Sequence, residues 1–325
     1  MTPQVSVGVV GVGALGRHHA RHLAAMHGVR LIGVFDADAA RAAAVAAEFG
    51  CRAFTSCAEL LAQVNAVTVA VPTPLHHAVG LECLNHGVSV LMEKPLAVTL
   101  EEADELIAAA ARNGVVLAVG HIERFNRAMR AAQNVLDSPA YIESVRLAPF
   151  QLRGADVAVV LDLMIHDLDL ALHLLGGAPA LDVRASGVSI VSSHLDIANA
   201  RVEFAGGAVA SVVSSRVARE RVRRVRIFQP SGYIALDLAT GGATFMRLRA
   251  DWQPGTGTSL EDIVETVTLT APDADALGLE LAAFVAAVRG DPAEIVTAAE
   301  GRAALALALD VTNAVQRLPV PALGR

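Results

Sequence analysis

Ionisable side chains recur at helical spacing within a strongly apolar stretch near the middle of the sequence. Asp162, His166, Asp169 and His173 are separated by four, three and four residues. That spacing predicts one stripe along a single helix face, and it leaves Asp167 pointing elsewhere. A stripe buried among Leu, Val and Ile must be hydrogen-bonded or ion-paired, because unpaired buried charge is strongly unfavourable. It is therefore either a structural network or a site in which a histidine handles protons near neutral pH.

A second candidate group is a lysine that directly follows an apolar run at residues 88–92. Lys94 lies within Glu93-Lys94-Pro95, and the proline disfavours helical geometry at the residue before it. An ammonium held in this way could polarise a substrate or donate a hydrogen bond to a reacting oxygen. The alternative is an ion pair with Glu93 or Glu102 at the start of the next helix, and spacing alone leaves both interpretations open.

A glycine-rich turn near the start of the sequence predicts a dinucleotide site. The turn follows an apolar run, opens a helix-like stretch, and is followed by a second apolar run that ends at Asp36. This context favours a pyrophosphate at the helix N-terminus and a ribose on the Asp36 carboxylate, whose charge predicts NAD rather than NADP. The alternative is a structural turn without a cofactor. The predicted cofactor-binding residues of the turn are Gly11, Gly13, Ala14, Leu15 and Gly16.

These groups need a scaffold, and the sequence changes character along its length. Apolar runs at 5–10, 31–35, 66–71, 88–92 and 115–119, with a weaker one at 51–54, alternate with helix-like stretches and indicate a parallel sheet covered on both faces. After about residue 140, turn signals such as Gly206-Gly207 and Gly241-Gly242 indicate antiparallel hairpins. We predict an α/β Rossmann domain at 1–122 with a doubly wound sheet. An α+β domain with a large, mainly antiparallel open sheet follows at 123–325.

Composition narrows the function classes. The chain has 325 residues, of which 54% are hydrophobic, and its 26 basic and 33 acidic side chains give a net charge of -7. That balance offers nucleic acid no general attraction. No uncharged apolar stretch reaches the roughly 20 residues that cross a bilayer, and the first residues lack a signal-peptide pattern. Three cysteines show neither pairing nor metal spacing. We expect a cytoplasmic protein without a metal site.

The order of these motifs resembles the Gfo/Idh/MocA family of sugar and cyclitol dehydrogenases. The resemblance adds Pro72-x-x-x-His76 to the glycines, Asp36 and Glu93-Lys94-Pro95. It implies an NAD-dependent oxidoreductase that oxidises a ring hydroxyl of a sugar, nucleotide sugar or cyclitol to a ketone, or catalyses the reverse reaction. Ligands of a doubly wound sheet bind beyond the carboxyl ends of its strands. Further predicted cofactor-binding residues at those ends are Pro72, Thr73, His76 and Glu93.

The family pattern also bears on the ionisable stripe. Members typically carry Asp-x-x-x-His on this helix, which Asp162-x-x-x-His166 matches. The resemblance implies that His166 takes the proton of the hydroxyl while hydride passes to the nicotinamide. Lys94 would hydrogen-bond the same oxygen, and Asp162 would orient this pair. Asp169 and His173 are left as structural or supporting residues.

The segment after the run at 115–119 is dense in polar side chains. We predict substrate contacts from His121, Arg124 and Asn126, in addition to Lys94 and His166, with a merely polar linker as the alternative. The segment is similar to a subgroup of UDP-N-acetylglucosamine 3-dehydrogenases, which favours oxidation at the 3-position of a UDP-N-acetylhexosamine. Two departures from the pattern are Arg127, where proline is usual, and Asn65, where aspartate is frequent.

A basic run further along the chain has two interpretations. Its arginines could meet a nucleotide-sugar diphosphate, or they could form the solvated face of a strand, which we favour. The run consists of Arg216, Arg219, Arg221, Arg223, Arg224 and Arg226.

Two other functions fit the same motifs. One is a non-catalytic NAD-binding sensor on this fold, although Lys94 and His166 are both present. The other is a reductase of an imine or unsaturated substrate, which would not need a base paired with Asp162. Independently of which function applies, the family resemblance implies a homodimer or homotetramer that forms through the open face of the second sheet.

Overall fold

The computed structural model describes residues 4–151, 157–253, 255 and 259–316. These residues form two compact units. The first unit comprises the described parts of Met1–Ile122 and Ala274–Leu305, and the second comprises the described parts of Glu123–Asp273 and Ala306–Arg325. The division after Ile122 is where the sequence predicts a domain boundary. The segment 274–305, which we predicted to be part of the second domain, packs with the first unit instead.

The strands begin and end close to the predicted apolar runs and turns. In chain order they are β1 (Val5–Val10), β2 (Val29–Phe35), β3 (Arg52–Ala53), β4 (Ala66–Val69), β5 (Ser89–Glu93), β6 (Leu117–Gly120), β7 (Tyr141–Leu147), β8 (Ala180–Val188), β9 (Ile197–Phe204), β10 (Val209–Ser215), β11 (Val222–Gln229), β12 (Gly232–Asp237), β13 (Gly242–Leu248) and β14 (Val264–Leu269).

The helices alternate with strands in the first unit and are sparse in the second. They are α1 (Ala14–Ala25), α2 (Ala39–Phe49), α3 (Cys57–Leu61), α4 (His76–Asn85), α5 (Leu100–Asn113), α6 (Arg127–Ala132), α7 (Ile165–Leu174), α8 (Leu260–Ile263), α9 (Ala276–Arg289) and α10 (Ala298–Gln316). None of the helices in the described ranges combines the length and apolar character that a membrane crossing requires.

The first unit is the predicted doubly wound structure. Its described strands form a six-stranded sheet in the order β3-β2-β1-β4-β5-β6, and every neighbouring pair is parallel. β1 and β4 are almost wholly buried, as expected of strands covered on both faces. The order places the carboxyl ends of β1, β4 and β5 side by side, so the residues that follow these strands can meet at one edge of the sheet.

The late segment joins this unit because one face of α9 is apolar. Leu277, Leu281, Phe284 and Val285 are buried in the same cluster as the residues of β1 and α1. Beyond α9 the chain also pairs with the sheet edge, where the Val119 amide donates to the Val296 carbonyl at 2.9 Å. No feature of the sequence indicates which sheet this helix covers.

The second unit is built on the predicted large sheet. Its described strands follow the order β14-β13-β12-β11-β7-β10-β9-β8. All neighbouring pairs are antiparallel except β7 with β10, which are parallel. The turns at Gly206-Gly207 and Gly241-Gly242 join successive hairpin strands, as predicted, and a further turn joins β11 to β12. The α/β plus α+β fold class is therefore confirmed.

Candidate active site

The glycine-rich turn has the geometry that a phosphate-binding turn needs. Gly11 has a φ of 82°, and a Cβ on Gly16 would lie 1.9 Å from the Gly11 carbonyl oxygen. A Cβ on Gly13 would meet nothing within 4 Å. The turn is thus closed by backbone on one side and open beside Gly13, at the start of α1. A pyrophosphate fits this opening, where backbone N–H groups and the helix dipole favour an anion.

Asp36 lies at the end of β2 and fixes the same turn. One carboxylate oxygen accepts from the Val12 amide at 2.7 Å, and the other accepts from the Asp38 amide and the Arg41 guanidinium, each at 2.9 Å. Burial alone would raise the pKa of Asp36, but these hydrogen bonds outweigh it and hold the pKa below its ordinary value. Asp36 is therefore a carboxylate at neutral pH, and it repels a phosphate placed beside it.

A cavity of about 320 Å³ opens next to Asp36. Its walls are mostly alanine and aromatic side chains, which suit the flat apolar faces of a nucleobase. It is lined by Phe35, Asp36, Ala37, Ala39, Ala42, Ala53, Phe54 and Thr55. The residues present therefore fit the adenosine end of a dinucleotide.

His76, which we predicted to bind the cofactor, is held inside the protein. The ring is 1% exposed, with Nδ1 2.7 Å from the Pro95 carbonyl oxygen and Nε2 3.0 Å from the Val71 carbonyl oxygen. Both ring nitrogens therefore face backbone acceptors. The ring links the residue that follows Lys94 to the loop after β4, where Pro72 is exposed and Thr73 is half-buried.

Glu93, another predicted cofactor residue, has a histidine partner. One of its carboxylate oxygens lies 3.0 Å from Nε2 of His19, whose side chain is fully buried. Burial alone would raise the pKa of Glu93, but the hydrogen bond with His19 and the charges of His19 and Lys94 hold it below the ordinary value. Lys94, between Glu93 and Pro95, is half-buried and precedes a cis peptide bond.

Glu102 is one of the two carboxylates that the sequence offers as an ion-pair partner for Lys94. In the structure, the Glu102 carboxylate forms a hydrogen bond near the start of α5. It accepts a hydrogen bond from the Val98 amide at 3.0 Å, while the Thr99 hydroxyl accepts from the Glu102 amide at 3.2 Å. The Thr99 hydroxyl caps the N-terminus of α5, and the Glu102 carboxylate holds the residue before the cap. Glu102 therefore stabilises the helix that follows the Lys94 turn.

Two signals at this edge were missed in the sequence. The first is His19 on α1, which is buried against Glu93 while its neighbour His18 is exposed. No spacing rule connects residues 19 and 93. The second signal was available: among the 26 lysine and arginine residues of the chain, only Lys94 is a lysine.

The predicted helix of the second unit is irregular where it begins. Residues Val160–Met164 form a π-helical turn that leads into α7, and Asp162 lies in that turn while His166 lies in α7. Both side chains are half-buried. Such π-helical turns are costly and are found frequently at functional sites. The region around Asp162 and His166 therefore has the backbone irregularity of a site.

Asp167 lies outside the predicted stripe and anchors α7 to the sheet. Its carboxylate binds Arg146 at 2.7 and 3.0 Å and accepts from the Ser144 hydroxyl at 2.7 Å. Glu123 binds the same guanidinium at 2.7 Å. Arg146, Asp167 and Glu123 are each at most 4% exposed. The charges on both sides raise the pKa of Arg146 despite its burial.

Arg124, which we predicted to bind substrate, forms a bidentate ion pair within the second unit. Its guanidinium donates to the two carboxylate oxygens of Asp169 at 2.9 and 2.6 Å, and His173 Nδ1 lies 3.4 Å away. Asp169 is 1% exposed. This part of the stripe is the structural network that the sequence left as one alternative.

Asn126 and His121 are the two other residues that we predict to bind substrate. The Asn126 side chain caps α6 by accepting from the Ala128 amide at 3.0 Å, and its NH₂ group donates to Glu123 and to the Leu238 carbonyl. His121 is 1% exposed at the end of β6. Whether either contacts substrate stays a prediction.

The interpretation of the basic run as a solvated face holds for four of its six members, whereas Arg223 is half-buried and lies 3.4 Å from Glu123. Arg219, Arg221, Arg224 and Arg226 are exposed. Arg216 is only 4% exposed, and it donates to the carbonyls of Val157 and Leu195. Its Nε atom also lies 3.6 Å from a carboxylate oxygen of Asp196, so Arg216 belongs to a buried polar cluster.

Two models of protein families match the chain. The model described as "Oxidoreductase family, NAD-binding Rossmann fold" matches residues 5–121, and that described as "GFO/IDH/MocA C-terminal domain" matches residues 147–235. Together they cover the first sheet and part of the second, including the glycine-rich turn, Lys94, Asp162 and His166.

Individual relatives match over more of the length. The chain is 42% identical over 310 residues to the UDP-N-acetylglucosamine 3-dehydrogenase of Acidithiobacillus ferrooxidans, covering 95% of this chain and 96% of the relative. The solved structure of that enzyme, GnnA, superposes with a TM-score of 0.90 over 96% of this chain and 98% of that one, at 41% identity.

More distant relatives share the fold. The scyllo-inositol 2-dehydrogenase (NAD(+)) of Bacillus subtilis is 29% identical over 235 residues, 66% of this chain and 68% of the relative. The structure of GenD2 from gentamicin A biosynthesis, in complex with NAD, gives a TM-score of 0.81 at 24% identity and covers 98% of this chain and 95% of that one.

Proposed function

The chain belongs to the Gfo/Idh/MocA family of oxidoreductases, and from this premise we propose that it oxidises the 3-hydroxyl of a UDP-N-acetylhexosamine to a ketone, with NAD as the oxidant. It is a dehydrogenase of sugar-like alcohols. The choice of a nucleotide sugar over a cyclitol follows the 42% identity to a UDP-N-acetylglucosamine 3-dehydrogenase over 95% of this chain. Inositol dehydrogenases match at 29% to 37% identity and over a smaller share of it.

One observation carries the catalytic assignment. Every basic position in the sequence except residue 94 is an arginine. A guanidinium serves ion pairs and phosphate contacts as well as an ammonium does or better, but it is larger, planar and does not give up its proton. A lysine kept at this one position favours a role that needs a compact donor beside a reacting atom.

The proposed chemistry divides between two side chains. His166 removes the proton from the substrate hydroxyl as the C–H bond breaks, because a neutral imidazole is a base of suitable strength near neutral pH. Lys94 donates a hydrogen bond to the same oxygen and stabilises the negative charge that develops on it. Asp162 orients this pair. The nicotinamide supplies the hydride acceptor when the cofactor is bound.

The cofactor would be held by the first unit. The open side of Gly13, with Ala14 and Leu15 at the start of α1, would hold the pyrophosphate, and the Asp36 carboxylate would hold the adenosine ribose. We propose NAD rather than NADP because Asp36 is charged and carries its own hydrogen-bond partners. The exits of β4 and β5, with Thr73 and Glu93, would border the nicotinamide end.

We also propose that the protein is a homodimer or homotetramer that acts in the cytoplasm. One face of the second sheet exposes an aromatic row in which the Phe228 ring lies 5.8 Å from Tyr141 and 4.8 Å from Tyr233. Exposed aromatic rings of this kind favour a protein interface. The thiols of Cys51, Cys57 and Cys83 are free, which suits a reducing compartment.

Steady-state kinetics with a substrate panel tests the proposal. We expect turnover of UDP-N-acetylglucosamine or a related UDP-hexosamine with NAD, and kcat/KM at least about tenfold lower with NADP, a loss of about 1.4 kcal/mol of transition-state binding. Free sugars and inositols are the comparison set. Turnover of unphosphorylated substrates alone would exclude a nucleotide-sugar dehydrogenase.

A Lys94→Ala variant separates an enzyme from a sensor. An enzyme loses turnover while the variant keeps its affinity for NAD, measured by titration calorimetry. A protein that binds NAD but turns over no member of the panel in its wild-type form is the sensor instead. Dependence of hydride transfer on the base form of a group near neutral pH distinguishes alcohol oxidation from reduction of an imine or an unsaturated bond.

A further inference from the structure

We propose that two buried histidines, His19 and His76, are positioning residues that hold the neighbours of Lys94 on both sides and thereby fix where its ammonium lies. The two are called the histidine clamp below. This inference rests on the proposed function for the role of Lys94, but its geometry stands by itself. All the residues concerned belong to the first unit.

The first half of the clamp holds Glu93. His19 lies on α1, the helix that begins at the glycine-rich turn, and its Nε2 atom lies 3.0 Å from the Glu93 carboxylate. The His19 side chain is 0% exposed. A buried carboxylate needs a partner, and this histidine supplies one. The backbone of residue 93 is therefore tied to the helix that would receive the cofactor phosphates.

The second half of the clamp holds Pro95. His76 Nδ1 lies 2.7 Å from the Pro95 carbonyl oxygen, and Nε2 lies 3.0 Å from the Val71 carbonyl oxygen. Both partners only accept hydrogen bonds, so the ring donates to one as a neutral imidazole and to both when it is protonated. Burial lowers the pKa of His76, and the Lys94 charge acts in the same direction, while the two carbonyls and Glu93 oppose it.

Gly120 on β6 has no side chain, which leaves room for the Glu93 carboxylate. A Cβ on Gly120 would lie 3.3 Å from the Glu93 Cδ and from both carboxylate oxygens, closer than ordinary contact. The carboxylate therefore fits between His19 and the bare backbone of Gly120. With the Glu93 carboxylate held by His19 and the Pro95 carbonyl held by His76, these two hydrogen bonds resist displacement of the Lys94 backbone. Such fixed placement is what a catalytic hydrogen bond requires.

The single lysine makes the clamp measurable without substrate. Acetic anhydride acetylates free amines, and mass spectrometry can follow Lys94 acetylation in the full-length chain across a pH series, because no other lysine is present. A one-unit change in the titration of an amine alters its reactive fraction about tenfold. We expect His19→Leu and His76→Leu each to change the Lys94 acetylation rate at least about threefold.

Matched controls come from the neighbouring histidines. His18→Leu changes an exposed ring on the same helix, and His77→Leu changes a half-buried ring that contacts Glu105. We expect both acetylation profiles to superpose on that of the wild type. If the clamp variants are indistinguishable from these two controls, the clamp has no effect on Lys94 and the inference is overturned.

Conservative variants separate positioning from folding. The amide of glutamine reaches roughly where His Nε2 lies, and that of asparagine roughly where Nδ1 lies. His19→Gln therefore keeps a donor to Glu93, and His76→Asn keeps a donor to Pro95. We expect both to restore the wild-type acetylation profile. If they are as altered as the leucine variants while melting at the wild-type temperature, the hydrogen bonds do not position Lys94.

A third variant displaces Glu93 from the opposite side and covers the case in which the leucine variants do not fold. Gly120→Ala leaves both histidines intact, and we expect it to change the acetylation rate in the same direction as His19→Leu. An unchanged rate in a folded Gly120→Ala variant contradicts the clamp. Thermal unfolding followed by circular dichroism identifies variants that are simply unfolded.

Kinetics with the substrate panel then links the clamp to turnover. We expect the leucine variants to lose kcat by about 10- to 100-fold with a small change in KM, since small displacements of a reacting group cost this much. If the wild-type protein turns over nothing in the panel but the acetylation results hold, the proposed function fails and the clamp stands. Normal kcat in variants with altered acetylation overturns the positioning role.

Discussion

At the scale of single residues, the difference between lysine and arginine is informative in this chain. Among the described residues, arginines form buried as well as exposed ion pairs, including those to Asp167, Asp169 and Glu48. A planar guanidinium binds two carboxylate oxygens at once and stays charged in any surroundings. Residue 94 is the exception, so the position has requirements that arginine does not meet.

Lys94→Arg tests those requirements more sharply than removal of the charge. We expect kcat to fall by about 100-fold or more, because the larger guanidinium group cannot occupy the position of the ammonium group. Affinity for NAD should stay within about twofold, measured by calorimetry. Arg221→Lys, the reverse exchange at an exposed position, is the control. Near-normal kcat in Lys94→Arg would show that any cation suffices.

Asp196 carries a different kind of prediction, one about pH. The side chain is 0% exposed, and its carboxylate accepts from the amides of Ile190, Val191 and Ser192 and from the Ser192 hydroxyl. Burial alone would raise the pKa of Asp196, but these bonds lower it to about 2. Because the folded pKa lies below the unfolded one, the carboxylate stabilises the fold above about pH 4.

We therefore expect Asp196→Asn to lower the free energy of unfolding by about 2 to 3 kcal/mol at pH 7, since hydrogen bonds to charged groups contribute this order of stability. The deficit should shrink as the pH falls from about 4 towards 2, because the wild type loses the same charge there. Urea unfolding at several pH values measures it. A deficit that does not depend on pH would mean that the loss arises from shape alone.

At the scale of elements, the second unit holds α7 by charge as well as by apolar contact. Arg146 on β7 lies between Asp167 on α7 and Glu123 in the short helix Ile122–Phe125. Removal of one partner from a buried ion pair leaves a charge uncompensated, which costs more than the pair itself stabilises. The network therefore sets the position of the helix that carries His166.

We expect Asp167→Asn to destabilise the protein by about 3 kcal/mol in urea unfolding. Asp182→Asn is the control, because Asp182 forms an exposed ion pair with Arg184 that should contribute at most about 1 kcal/mol. Equal effects of the two substitutions would show that burial of the Arg146 network does not matter. A lower kcat in a folded Asp167→Asn variant would link the anchor to His166.

The boundaries of the strands were easier to predict from the sequence than the strands with which they pair. Apolar runs gave β1, β4 and β5 nearly to the residue, because strands buried on both faces are apolar throughout. The parallel pairing of β7 with β10 was not foreseen, since local turns determine only hairpin neighbours. The same limit applies to the site: Lys94 follows from a local motif, whereas His19 meets Glu93 across 74 residues that no spacing rule spans.

At the scale of the whole molecule, the exposed face of the second sheet predicts association between copies. Tyr141 and Phe228 are 37% and 40% exposed on that face. We expect Phe228→Asp to shift the mass measured by size-exclusion chromatography with light scattering to that of a monomer, because a charge is not tolerated inside an interface core. Phe150→Asp, at a similarly exposed ring outside any strand, is the control. A wild-type monomer contradicts the proposal.

The position of α9 has a consequence for how the protein is made. The core of the first unit contains Phe284 and Leu281, yet its six strands are complete by Gly120. A ribosome that adds roughly 5 to 20 residues each second needs on the order of ten seconds to supply the missing helix. During that time the growing chain carries an open apolar surface on its first sheet. A fragment that stops at Ile122 would keep that surface permanently, and it would be a client for chaperones rather than a usable cofactor-binding module.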